Sequence, residues 1–176
     1  HTHRDHIDGL PRLKAETGAL VYGYGRKARN PGQVPKSPAG GESNDEDFIP
    51  DVALAEGSRF EGDGIALTAV FTPGHAPDHL CFAIEGTGIL LSGDHVMGWN
   101  TSVVAPPEGN MVAYMKSLDK LMAREDAVFL PGHGGRIEQP HIELDMRAVI
   151  FGQLVANRRD VVEGGDRGRH VDGRHK

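Results

Sequence analysis

HTHRDH, residues 1–6, is the densest cluster of histidines in the sequence. Three of the ten histidines and one aspartate fall within these six positions. Imidazole nitrogens and carboxylate oxygens are ligands for zinc, manganese and iron ions. One such cluster is weak evidence for a metal site, so the assignment depends on whether the rest of the chain supplies further ligands in a matching pattern.

Three later positions supply ligands of this kind. Each follows an apolar stretch and a Pro-Gly or Ser-Gly pair: His75 in FTPGH, Asp94 in LLSGD and His133 in FLPGH. A glycine before the ligand lets the backbone turn sharply where the strand ends. Side chains from several strand ends can then meet at one edge of a sheet. The five histidines, together with Asp5 and Asp94, are enough ligands for a site of two metal ions.

The motifs HTHRDH, TPGH, SGDH and PGHG, in this order, resemble the metallo-β-lactamase superfamily, whose pattern is HxHxDH followed by His, Asp and His. The resemblance implies two zinc ions, with manganese or iron as alternatives. The implied ligands are His1, His3 and His75 for one ion, Asp5, His6 and His133 for the other, and Asp94 as a bridge. The implied reaction is hydrolysis by metal-bound water, whose pKa falls towards neutrality. Asp5 is implied also to orient this nucleophile or to carry its proton.

Three residues near these motifs are predicted to support the site or to contact the substrate. His79 is predicted to orient a ligand or the substrate, with a plain surface position as the alternative. His95 is predicted to contact the substrate. Trp99 is predicted to line the substrate pocket, with a simple core role as the alternative. Cys81 lies in an apolar strand and is predicted to be a small buried residue rather than a nucleophile.

The apolar pattern predicts short strands and a few helices. Residues 9–17 are predicted to form a helix that ends at Gly18, and ALVYGY (19–24) the strand after it. Glycines that interrupt the alternation from residue 51 onwards indicate a meander. The further predicted elements are a hairpin with strands at 80–84 and 89–92, a helix over 107–123, a strand in AVFLP and a helix over 143–158. Residues 26–47 are polar and rich in proline and glycine, which predicts a long surface loop or, alternatively, a substrate-facing one.

Strands that alternate with helices predict a mixed α/β fold in which helices cover one side of a sheet. The resemblance implies more, namely the αββα sandwich of the superfamily. In that sandwich HxHxDH normally follows an apolar strand, so we expect N-terminal strands that are absent here and belong to a longer gene product. The predicted organisation is an N-terminally truncated metallo-β-lactamase-type domain over residues 1–157 and a disordered tail over 158–176.

The charge and composition of the chain argue against several classes of partner. A net charge of −6 is mild evidence against a broad contact with nucleic-acid phosphates. The single cysteine excludes a disulfide framework. No run approaches the roughly 18 apolar residues of a membrane helix. We expect a cytoplasmic protein with a small-molecule substrate and no membrane partner, and a homodimer is compatible with the sequence.

Three functions stay open from the sequence. The first is hydrolysis of a small ester or thioester, and the second is cleavage of single-stranded RNA or another phosphodiester at the same centre. Residues 71–137 resemble most the branch of the β-lactamase-like endoribonuclease and its bacterial hydrolase relatives, and less closely the glyoxalase II thioesterases. The third is a non-catalytic chain that binds copper or nickel through its amino group, two amides and His3. That function leaves His75, Asp94 and His133 unexplained.

Overall fold

The computed structural model describes residues 1–25 and 48–140, and these contain three helices and eight strands. The helices are α1 (Arg4–Ile7), α2 (Leu10–Thr17) and α3 (Met111–Met122). The strands are β1 (Tyr22–Tyr24), β2 (Val52–Leu54), β3 (Arg59–Gly62), β4 (Ile65–Phe71), β5 (Leu80–Ile84), β6 (Ile89–Gly93), β7 (Val128–Pro131) and β8 (Ile137–Glu138). The predicted loop over 26–47, the helix over 143–158, the domain boundary at 157 and the tail lie outside the described residues.

The strands form two sheets, as the αββα sandwich implies, whereas the apolar pattern alone predicted one. β1 and β2 pair in parallel, and β3 to β8 form a six-stranded sheet in sequential order. Within the larger sheet β6 and β7 are parallel, because the chain crosses between them through α3. The other neighbours are antiparallel. The predicted meander and hairpin are therefore confirmed as β3 to β6.

The two sheets pack face to face. Leu54 of β2 is buried together with Ala69 and Leu80 of the larger sheet. The ring of Tyr24 in β1 stacks on Phe71 in β4, with 4.5 Å between ring centroids. Such an aromatic pair contributes about 0.5–1.5 kcal/mol beyond its buried area. These are the two sheet layers of the αββα sandwich that the resemblance implied.

Helix α3 packs on the larger sheet. Leu121 of α3, Leu90 of β6 and Phe129 of β7 are all fully buried. The ammonium group of Lys120 in α3 donates a hydrogen bond to the carbonyl oxygen of Phe71 in β4, at 2.7 Å. The helix thus closes the crossover between the two strands whose ends carry ligand motifs.

Several element boundaries differ from the prediction. Helix α3 begins at Met111 rather than at 107, because Asn110 is extended and its side-chain oxygen accepts a hydrogen bond from the Ala113 N–H, which makes it an N-cap. β1 is shorter than predicted, because the N–H of Val21 donates to the Asp51 carboxylate instead of to a strand. α1 and β8 were not predicted, since elements of four and two residues show no periodicity.

Helix α2 ends as predicted. Its last hydrogen bond runs from the Gly18 N–H to the Lys14 carbonyl, and Gly18 has a φ of 68°, a left-handed conformation that ends a helix. Among the described helices, none is long and apolar enough to cross a membrane.

Candidate metal centre

Three of the ligand motifs lie at the same edge of the larger sheet. β4, β6 and β7 run in the same direction, and their C-terminal ends lead into His75, Asp94 and His133. The N-terminal motif is joined to this edge by the hydroxyl of Thr2, which donates to the Asp78 carboxylate at 3.0 Å. The order of strands in the sheet therefore explains why distant motifs converge.

The structure brings all seven predicted ligands together in two clusters, which we call the inner cluster and the outer cluster. The inner cluster is His1, His3, His75 and Asp94, and the outer cluster is Asp5, His6, Asp94 and His133. Within each cluster the ligand atoms lie within 4.8 Å of one another. Asp94 belongs to both. This convergence gives no support to a local copper or nickel site built from the first three residues alone.

Hydrogen bonds on the far side of two imidazoles point their lone pairs into the inner cluster. The Nδ1 of His75 lies 2.6 Å from the Val103 carbonyl oxygen, and the Nε2 of His3 lies 3.4 Å from a Glu108 carboxylate oxygen. Each acceptor takes the single N–H of a neutral ring. The remaining nitrogens, His3 Nδ1 and His75 Nε2, then face each other as lone pairs at 3.0 Å. A cation between them satisfies both, so the donor set fits a metal ion.

Asp94 is the charged residue that the two clusters share. Its Oδ2 lies 3.2 Å from His6 Nε2 and 3.5 Å from His133 Nε2. Its buried Oδ1 has no hydrogen-bond partner among the described residues. Burial acts to raise the pKa of Asp94, but the His6 hydrogen bond and the neighbouring imidazoles outweigh it, so the pKa lies below its usual range. A buried, ionised carboxylate with an unpaired oxygen is a suitable bridge between two cations.

The Asp94 hydrogen bond also acts on His6. It is the main reason why the pKa of His6 is raised above its ordinary value, and burial opposes it. The same pair of atoms therefore favours a carboxylate on one side and a protonated imidazole on the other.

At two of the glycines that precede candidate ligands a side chain would not fit, and the structural reason differs between them. Gly93 has a φ of 52°, and a side chain there would place its Cβ 2.7 Å from His79 Nε2. The predicted sharp turn before Asp94 is thus present. At Gly132 the reason is space, because a Cβ would lie 2.5 Å from Asp94 Oδ1.

A chain of buried hydrogen bonds holds the backbone of Asp94, and we call it the Asp94 relay. The Asp94 N–H donates to His79 Nε2 at 3.0 Å, and His79 Nδ1 lies 2.8 Å from the Thr72 hydroxyl. Beyond it, the hydroxyl lies 3.2 Å from the Cys81 sulfur, which donates to the Ser92 carbonyl oxygen. Burial lowers the pKa of His79 well below its ordinary value, so its ring is neutral. Because its Nε2 accepts the Asp94 N–H, the ring proton lies on Nδ1. The hydrogen bonds of the relay therefore all donate in one direction, from the Asp94 N–H towards the Ser92 carbonyl oxygen.

Of the other residues singled out in the sequence, His95 is fully buried. Burial lowers its pKa to about 3, and its ring packs on Tyr114 at 4.4 Å between centroids. The predicted substrate contact by His95 stays a prediction. Trp99 is 73% exposed and lies against Gly134, beside the outer cluster. Burial raises the pKa of the Cys81 thiol to about 12, which does not suit a nucleophile.

A cavity of about 320 Å³ adjoins the centre between α2 and β1. Its walls include His1 and His6 together with apolar side chains such as Leu10, Leu20 and Tyr24. The centre therefore has an apolar side behind His1 and an open polar side at the outer cluster.

Three partners of the ligands were missed from the sequence. They are Ser102, Val103 and Glu108, which lie between β6 and α3. A backbone carbonyl such as that of Val103 has no sequence signature. Glu108 had one available signal, an acid beside a Pro-Pro pair and ahead of the Asn-capped helix.

Comparison with known proteins matches residues 1–133 to the family model described as the metallo-beta-lactamase superfamily. The chain is 32% identical to the lactamase-like protein adaB of Aspergillus niger over 95% of this chain and 49% of that protein. It is 34% identical to the atrochrysone carboxyl ACP thioesterase AgnL7 of Paecilomyces divaricatus over 78% of this chain and 37% of that protein. The chain thus spans about half the length, or less, of these relatives.

Among solved structures, the chain is similar to a metallo-beta-lactamase family protein from Thermus thermophilus. The TM-score is 0.55 at 28% identity, over 62% of this chain and 38% of that one. The predicted branch, that of the endoribonuclease and its relatives, stays a prediction. All seven candidate ligands lie within the residues that the family model matches.

Proposed function

Because this chain belongs to the metallo-beta-lactamase superfamily, we propose that it is a metal-dependent hydrolase that cleaves thioesters at a dinuclear centre. The observation that carries the proposal is the convergence of seven nitrogen and oxygen ligands on the shared carboxylate of Asp94. The choice of thioesters is supported by the similarity to AgnL7, which is named a thioesterase.

We assign one ion to the inner cluster and one to the outer cluster, with Asp94 as the bridge. Imidazole and carboxylate donors suit zinc, with manganese or iron as alternatives. When bound, the ions supply a water molecule with its pKa lowered towards neutrality and polarise the thioester carbonyl.

Asp5 is the residue that we assign to proton transfer. Its Oδ2 lies 3.1 Å from His133 Nε2, and its side chain is partly exposed at the open side of the centre. In the reaction, the water oxygen bonds to the carbonyl carbon, the carbon–sulfur bond breaks and the sulfur leaves as a thiolate. The Asp5 carboxylate accepts the proton of the attacking water and delivers it to the leaving sulfur.

The exposed side of the outer cluster is where we place the substrate. His133 and Asp5 are both partly exposed there, whereas the inner-cluster side chains are buried. Trp99 and Val103 are exposed apolar side chains in the loop that borders this side. We assign them to contact with the acyl group, since an exposed aromatic ring near a polar centre offers a large apolar surface.

The proposal is tested with the chain loaded with zinc or manganese. We expect thiol release from an acyl N-acetylcysteamine thioester to require the metal and to stop when a chelator is added. Asp5→Asn is expected to lower kcat by about 10²–10⁴-fold, the usual contribution of a proton-transfer group. Asp8→Asn, which changes an exposed aspartate in the same part of the chain, is the matched control and keeps full activity.

Two results contradict the proposal. One is cleavage of single-stranded RNA or bis-p-nitrophenyl phosphate without any hydrolysis of the thioester. The other is thioester hydrolysis that persists unchanged after the metal has been removed.

A further inference from the structure

The segment between β6 and α3, residues 98–110, contacts four of the candidate ligands and is here called the support loop. The Gly98 N–H donates to the His133 carbonyl oxygen at 2.9 Å. The Ser102 hydroxyl donates to the Asp94 carbonyl oxygen at 2.5 Å. The loop also provides the Val103 carbonyl for His75 and the Glu108 carboxylate for His3. These four ligands come from three separate motifs and the N-terminal stretch, so one loop connects all of them.

We propose that Glu108 is a positioning residue of the metal centre, which selects the ligating nitrogen of His3. The inference rests on the proposed metal centre but not on the proposed substrate. Glu108 belongs to neither cluster, yet its Oε2 lies 3.4 Å from His3 Nε2. It acts through His3 and has no contact with the reacting atoms.

The chemistry of a neutral imidazole explains this role. The ring has one N–H and one lone pair, so whichever nitrogen donates a hydrogen bond leaves the other free to bind a metal. With its Nε2 proton held by Glu108, His3 presents its Nδ1 lone pair, and this atom lies 3.0 Å from both His1 Nε2 and His75 Nε2. A carboxylate acceptor also makes the ligating nitrogen more basic, which strengthens its bond to the metal.

Backbone contacts on both sides hold Glu108 in place. The N–H of Gly109 donates to the Ala105 carbonyl oxygen at 2.7 Å, and the N–H of Asn110 donates to the Gly74 carbonyl oxygen at 2.8 Å. A side chain at Gly109 would collide with the Ala105 backbone. Because Asn110 is also the N-cap of α3, the position of Glu108 is tied to that helix.

The experiment measures zinc affinity rather than turnover, by competition with a chelating indicator in the full chain. The variants are Glu108→Leu, which has no acceptor, and Glu108→Gln, whose amide oxygen still accepts the His3 proton. Glu125→Leu and Glu125→Gln, at an exposed glutamate just after α3, are the matched controls. The urea midpoint of each metal-free variant reports whether the fold is intact.

We expect Glu108→Leu to weaken binding of the tighter zinc ion by about 10–100-fold, the usual effect of losing an outer partner of a ligating histidine. Glu108→Gln is expected to recover most of this affinity, and the Glu125 variants to match the unchanged chain. Recovery by glutamine distinguishes a positioning role from a general loss of stability, which both substitutions would cause to a similar degree.

Two results overturn the inference. One is a Glu108→Leu variant with unchanged urea midpoint and unchanged zinc affinity. The other is an equal loss of affinity in Glu108→Leu and Glu108→Gln. If Glu108→Leu does not fold, the cobalt-loaded Glu108→Gln variant provides the test. Its d–d absorption spectrum is expected to match that of the unsubstituted chain, and a changed ligand field contradicts the inference. An unsubstituted chain that binds no metal contradicts the proposed function itself.

Discussion

The two clusters share one carboxylate but differ in how they are enclosed. In the inner cluster the side chains of His1 and His75 are each 2% exposed and that of His3 is 6% exposed. In the outer cluster Asp5 is 39% and His133 is 41% exposed. The first set is sealed and the second is open to solvent.

The two clusters also differ in the hydrogen-bond partners that orient their ligands. His75 and His3 each have an acceptor that fixes the ring, namely the Val103 carbonyl and the Glu108 carboxylate. His133 Nε2 instead contacts Asp5, another member of its own cluster. Ligands that are oriented before binding lose less entropy when the metal arrives. For the proposed dinuclear centre, the comparison therefore predicts a tight inner ion and a more exchangeable outer ion on the side where we place the substrate.

Substitution of the shared residue, Asp94, is expected to have the largest effect on metal binding. Asp94→Ala removes the bridging ligand from both clusters, so both ions are expected to be lost on gel filtration. The loss of affinity should exceed the roughly 10–100-fold effect of an outer partner. Metal content measured by mass spectrometry checks it, with Asp119→Ala, at an exposed position on α3, as the matched control. Two ions retained per chain would show that Asp94 is not a shared ligand.

A second pair of variants tests the inner and outer clusters against each other. His133→Ala is expected to leave one ion bound, with an affinity within about tenfold of the original tight site, since the preoriented inner ligands are intact. His75→Ala is expected to lose the tight ion. Calorimetric titration with zinc gives both the stoichiometry and the dissociation constants. Equal losses from the two variants would remove the distinction between the clusters.

The smallest expected effect is the pH dependence of stability that the buried His95 causes. Burial lowers the pKa of His95 to about 3, below the value near 6.5 of an unfolded chain. A depressed pKa stabilises the fold above pH 6.5, and this contribution is lost as the pH falls towards 3. The metal-free chain should lose up to about 1.4 kcal/mol per pH unit for such a histidine.

Urea unfolding with a chelator at pH 7, 6 and 5 measures this dependence. His95→Leu should give a shallower slope than the unchanged chain, because the leucine takes up no proton on unfolding. The raised pKa of His6 acts in the opposite sense but is common to both proteins, so the difference isolates His95. Identical slopes would contradict the assignment.

The candidate ligands could be picked out from the sequence because their signal is local. HTHRDH carries four of them within six positions, and each later ligand follows an apolar stretch and a glycine. The meander and the hairpin were predicted for the same reason, since alternation and turn residues are local patterns. The second sheet was predicted only through the resemblance, as a layer of the αββα sandwich, because residues 26–47, which separate β1 from β2, carry no regular pattern.

The surroundings of the ligands could not be predicted in this way. The contact between His3 and Glu108 joins residues 105 positions apart, and it depends on the path of the support loop. His95 was assigned to the substrate because it follows Asp94. Both residues lie in the turn after β6, where Asp94 faces the clusters while His95 packs on Tyr114 of α3, a contact that has no local signal in the sequence.

The direction of the Asp94 relay makes the metal centre dependent on a hydroxyl that never approaches it. Thr72 and valine have the same shape, and an exchange between them leaves the packing unchanged. Without the hydroxyl oxygen, however, the buried Nδ1–H of His79 has no acceptor. The other tautomer offers no remedy, because it would set an Nε2–H of His79 against the N–H of Asp94, which now form their contact as acceptor and donor. A single hydroxyl in the core thus helps to hold the ring that accepts the backbone N–H of Asp94.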